Sequence, residues 1–111
     1  MEVRGSGGQV WDTEVAAGFR GRFAGLMGRP PRALLLATNR VHGFWLRAPI
    51  RLVGANRHGE VIAVRILARR RLAHIPGADW ILELPLDALC PVPGDLLVAP
   101  AVFAHRSGRI R

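Results

Sequence analysis

Lysine and tyrosine are absent from this chain of 111 residues, cysteine occurs once, and its two serines, Ser6 and Ser107, lie near the two ends. Each scarcity excludes something. One cysteine, Cys90, forms no internal disulfide and supports no multi-cysteine metal site, and a reducing compartment suits it. Cys90 stands between Leu89 and Pro91, an apolar setting that favours a packing residue over a reactive thiolate. Serines confined to ends expected to fray leave no serine nucleophile with a fixed base beside it. No run reaches the roughly 18 apolar residues of a membrane span, and no apolar stretch follows the first arginine as in a signal peptide, so a soluble cytoplasmic protein is expected.

Half the residues are hydrophobic and 22% are charged, which supports one folded domain rather than a disordered chain. A chain of this length buries roughly 65% of its unfolded surface, so no metal or disulfide staple is needed. All 16 basic residues are arginine, against 8 acids, giving a formal charge of +8. Such a field draws anionic partners. Abundant Ala, Gly, Arg and Pro without lysine is also what a GC-rich coding sequence yields, so charge alone assigns no partner.

Residues 1–8 are glycine-rich and 105–111 are polar and basic, so both are expected to be flexible tails around one β-rich domain at 9–104. Val15, Phe19, Phe23 and Leu26 recur at helical spacing, which predicts one main helix from Val15 to Gly28, ended by Pro30-Pro31. Beyond the prolines the period is two. Strands are expected at about Ala33 to Ala37, Phe44 to Arg47, Leu52 to Ala55, Glu60 to Leu67, Asp79 to Leu84 and Leu96 to Val102. Asn56-Arg57-His58-Gly59 reads as a hairpin loop with Gly59 at positive φ, and Leu86 to Cys90 as one helical turn. Glu60 to Leu67, apolar on both faces, is expected to be a covered central strand. Trp11, Trp45 and Trp80 read as core. The fold class expected is mostly β (α+β): a small curved antiparallel sheet or flattened β-barrel with one main helix near the N-terminus.

Several segments in order carry a resemblance. They are Arg20-Gly21-Arg22-Phe23-Ala24-Gly25-Leu26-Met27-Gly28-Arg29, Val41-His42-Gly43-Phe44-Trp45-Leu46-Arg47-Ala48-Pro49-Ile50, His58-Gly59-Glu60-Val61-Ile62, Leu82-Glu83-Leu84-Pro85 and Gly94-Asp95. Together, over about Val10 to Val98, the chain resembles domain-of-unknown-function family 192. The resemblance implies a small barrel-like β-rich domain with a short helix after the first strand, and implies no activity. The chain departs from that family's pattern at Leu46, where methionine is usual, at Arg51, where aspartate is usual, and at Leu86-Asp87-Ala88, where a glycine is common.

His42, His58, His74 and His105 show neither the i,i+4 nor the i,i+2 spacing of a metal pair, so no metal and no cofactor are expected. Arg47 and Arg51 bracket the bend at Ala48-Pro49, and planar guanidinium groups suit carboxylate or phosphate. With His42 beside an aromatic segment and Glu83 as a core-edge acid, the candidate ligand site is His42, Arg47, Arg51 and Glu83. Arg69, Arg70 and Arg71 form the alternative, nucleic-acid-binding group, set in a long turn with no aromatic platform interleaved in sequence. The expected function is a non-enzymatic binding or accessory domain for a small anionic ligand or an acidic protein partner; the alternative is an RNA- or DNA-binding module. No catalytic residue is assigned.

Overall fold

A computed structural model describes residues 1–16, 33–44 and 46–103. Among the described residues nine strands follow in chain order: β1 (Glu2–Gly5), β2 (Val10–Ala16), β3 (Ala33–Leu36), β4 (Arg40–His42), β5 (Ile50–Ala55), β6 (Val61–Leu67), β7 (Leu72–His74), β8 (Trp80–Pro85) and β9 (Leu97–Val98). Seven of them form one curled sheet in the order β6-β5-β8-β3-β2-β1-β9, while β4 and β7 pair as a separate ribbon. The sheet is mixed, because β2 and β3 run parallel.

The expected α+β class is therefore corrected: the described residues are all β. Val15 and Ala16, placed at the start of a helix by their spacing, continue β2, in register with Leu35 and Leu36 of β3. The rest of the expected helix lies outside the described residues, as do Trp45 and the tail from 104 onward. Leu86 to Cys90 is a turn closed by Ala88 N–H donating to the Pro85 carbonyl at 3.1 Å, and Phe44 is likewise in a turn rather than a strand. Glu2–Gly5, expected to fray, is a strand with Val3 at 0% exposure.

Which strand is covered on both faces also differs from expectation. β6 is the sheet's edge strand, with Ile62 and Ile66 exposed. The middle strand of the seven is β3, buried throughout, and beside it β8 buries Ile81, Leu82, Glu83 and Leu84. Side chains alternate across a strand, so Leu82 and Leu84 join an inner cluster with Val53, Leu35 and Phe103. Ile81 points the other way, into a second cluster with Leu52, Leu34, Ile75 and Val41. The ribbon of β4 and β7 lies over this second cluster, to which it contributes Val41 and Ala73.

The sheet curls until its two edges meet. Leu97 N–H donates to the Gly59 carbonyl at 2.7 Å, Val61 N–H to the Asp95 carbonyl at 2.9 Å, and Glu60 bridges Leu96. Gly59 fits the expected hairpin loop, with φ 88°. It is required twice over, since a Cβ there would collide with the Leu97 carbonyl oxygen at the seam. Asn56 ties the loop by accepting from His58 N–H at 2.9 Å and Glu60 N–H at 3.0 Å.

Candidate functional site

The β4–β7 ribbon is only three residues long on each strand, yet its register sorts its side chains. Arg40 faces His74, Val41 faces Ala73, and His42 faces Leu72. Directly opposed residues share a face, and alternate residues do too. Val41 and Ala73 therefore face the second core cluster, while Arg40, His42, Leu72 and His74 make the outer face. Leu72 is 74% exposed, and Arg40 and His74 are exposed. A depression of ≈ 370 Å³ is lined, among the described residues, by these six ribbon residues.

One end of the ribbon carries the triple arginine run. Gly43 follows β4 and clasps the turn that precedes β7: Arg70 N–H donates to the Gly43 carbonyl and Gly43 N–H to the Arg71 carbonyl, both at 2.8 Å. Arg70 holds the left-handed conformation, φ 63°, which a non-glycine residue keeps only when its surroundings fix it. A Cβ on Gly43 would sit 2.8 Å from the Ala68 carbonyl oxygen, so glycine permits this close approach. The long turn expected from the sequence is thus anchored, with Arg69, Arg70 and Arg71 all exposed.

Phe44, the next residue, is 57% exposed. Its ring lies against His42, centroids 5.1 Å apart and planes tilted by 34°. An aromatic pair therefore stands beside the arginine turn, at a spacing set by Gly43. The sequence reading missed Phe44 because an apolar run of Phe-Trp-Leu looks like a strand, and it missed the outer face of Arg40, Leu72 and His74. The available signal was charge: residues 37–78 hold eight of the sixteen arginines and one acid, Glu60.

The four residues grouped as a ligand site are distributed differently. His42 joins the arginine turn. Arg47 is exposed at the bend after Leu46. Arg51 opposes Leu84 on β8, so it shares the inner face with Leu84, whereas Glu83 opposes Leu52 and Leu34 and shares the second cluster's face. The sheet thus separates Arg51 from Glu83, which is 2% exposed.

Arg51 has its own feature. Its Nε is buried, and no acceptor bonds it among the described residues, an uncompensated position for a charged donor. The Cys90 thiol is pushed up from its ordinary range by burial, and the positive charge of Arg51 opposes that shift. Cys90 Sγ donates to the Pro91 carbonyl at 3.2 Å. Among the described residues no three His, Cys, Asp or Glu side chains converge as a metal site, and no helix is long and apolar enough to cross a membrane.

Comparison with family models, curated proteins and solved structures finds no match to this chain.

Proposed function

We propose that this chain is a non-catalytic binding domain for an anionic partner, and that its contact surface is the outer face of the β4–β7 ribbon with the arginine turn. The observation that carries the reading is the double clasp of Gly43 on Arg70 and Arg71, which holds three exposed arginines beside the His42–Phe44 pair. Preorganised cations lose less freedom on binding than cations on a loose loop. The surrounding span adds seven net positive charges, eight arginines less Glu60, so an approaching polyanion meets an unopposed field. Inorganic polyphosphate is the direct probe. It should bind the native chain with strong salt dependence, and Arg70→Gln with Arg71→Gln should remove most of that binding.

A second reading, a small anion held at Arg51, is favoured by the buried Nε that finds no acceptor. A phosphate or carboxylate would supply the missing acceptor in the planar geometry that guanidinium prefers. Arg47, exposed on the same Ala48-Pro49 bend, would extend that site. Family 192 membership and a cytoplasmic location belong to the same proposal, supported by the five motifs in order and by the lone thiol. No reaction is assigned to the domain.

A further inference from the structure

We infer that the partner is single-stranded nucleic acid, with an unpaired base stacked on Phe44 and the flanking phosphates on Arg69, Arg70 and Arg71. This inference rests on the polyanion reading of the same surface and names its ligand.

Three observations carry it. First, Phe44 is 57% exposed although the chain has core positions for large apolar side chains, and its ring lies against that of His42 with centroids 5.1 Å apart. A π-face offered to solvent beside cations is the pairing that sequence-tolerant single-strand binders use, aromatic platform for the base and basic groove for the backbone. Second, platform and cations share an anchor. Gly43 precedes Phe44 in the chain and bonds Arg70 and Arg71, so the backbone that carries the ring and the backbone that carries the arginines are held together. A polymer of carboxylates alone would use the arginines but would leave the ring without a stacking partner. Third, the span 61–78 contains Arg65, Arg69, Arg70 and Arg71 and no acid, so this stretch itself adds no negative charge beside the turn.

The shape argues against a duplex. Two three-residue strands extend about 10 Å at the usual rise, too short a ribbon to follow a major groove. Bases inside a duplex keep their faces stacked on one another, and only unpaired bases present a face to an aromatic ring.

The experiment uses the full chain and five probes: fluorescein-labelled dT12, rU12, a 12-base-pair DNA duplex, poly-glutamate, and inorganic polyphosphate, which has the charge and no bases. The single strands should bind more tightly than the duplex. Their log affinity should fall with log salt at a slope of about −2 to −3, as three or four phosphate contacts give on single strands. Phe44→Ala should weaken dT12 and rU12 by about 5- to 150-fold, the range set by one lost base stack, and should leave polyphosphate unchanged. Phe44→Trp should keep single-strand affinity, while Arg70→Gln with Arg71→Gln should weaken single strands and polyphosphate together. Equal or tighter duplex binding, an unchanged dT12 affinity in Phe44→Ala, or tighter binding of poly-glutamate than of dT12 would overturn the inference. Polyphosphate binding that is lost with the two arginines would, in those cases, leave the polyanion reading standing. Failure of all probes to bind would overturn both.

Discussion

At the scale of single residues, Arg51 is half-buried and keeps its buried Nε without an acceptor among the described residues. A buried charge without a hydrogen-bonded partner is destabilising, and replacing such a group with an apolar residue of similar volume is commonly neutral or stabilising. Arg51→Met should therefore unfold no earlier than the native chain in anion-free buffer, by thermal denaturation. If Arg51 holds a small anion, adding phosphate should raise the melting temperature of the native chain and leave that of Arg51→Met unmoved, because a ligand stabilises only the form that binds it. Cys90 reports on the same charge. Burial raises its pKa and Arg51 lowers it, so removing the arginine leaves the raising effect unopposed and the thiolate fraction at any given pH falls. Alkylation of Cys90 by iodoacetamide at pH 8 should be slow in the native chain and slower in Arg51→Met.

The tryptophans separate in the same residue-level way. Trp11 is 6% exposed and its Nε1–H donates to the Leu89 carbonyl at 2.8 Å; Trp80 is half-buried and meets Phe103 edge-on at 6.1 Å. Full burial plus a satisfied N–H makes Trp11→Ala the costlier change, about 3–5 kcal/mol, with Trp80→Ala nearer 2 kcal/mol because part of its ring stays in water in the native state. Urea denaturation of both variants gives the comparison, and an equal loss would contradict the burial difference.

At the scale of elements, Gly43 is the joint on which ribbon, turn and aromatic pair depend. Gly43→Ala would push its Cβ into the Ala68 carbonyl oxygen; backbone is the obstacle, so the turn itself must shift. A loss of about 1–3 kcal/mol is expected by denaturation, together with weakened polyphosphate binding, since the arginines would leave their fixed positions. Lower stability with unaltered binding would show that the turn's placement does not matter to the ligand.

What the sequence disclosed follows from element length and pairing. Strands β3, β5, β6 and β8 were legible because each carries enough apolar residues to show its character, and the Asn56–Gly59 loop because Asn and Gly have distinct turn chemistry. β4 and β7 show too few residues for any period to emerge, and their pairing joins positions roughly thirty apart in sequence. β1 owes its order to ladders with β2 and β9, not to its own composition, and so it resembled a tail. The 4-4-3 spacing that suggested a helix begins inside β2, where pairing with β1 and β3 decides the conformation over local period. His42 was identified but placed with Arg47 and Arg51, because neighbours in sequence were visible and the β4–β7 register was not.

At the scale of the whole molecule, the distribution of charge sets how the fold responds to its medium. The stretch 37–78 carries seven of the eight net positive charges, and seven of its eight arginines are exposed, on β4, the bend after Leu46, the hairpin loop, the edge strand β6 and the turn before β7. The fold itself is held by the two apolar clusters and the seam between β9 and β6, none of which depends on surface ion pairing. An exposed pair such as Arg4 with Glu2, 2.9 Å apart, contributes little at best. Self-repulsion among the arginines should therefore outweigh surface attraction, and salt screens it over a Debye length that falls from about 30 Å at 0.01 M to about 8 Å at 0.15 M. The melting temperature in sodium chloride should rise across that interval. Arg70→Gln with Arg71→Gln should start higher and rise less, because the repulsion being screened is already smaller. A melting temperature that falls with added salt would mean that attractive pairs dominate, and the arginines would then be part of what holds the domain together rather than a surface kept clear for a negatively charged partner.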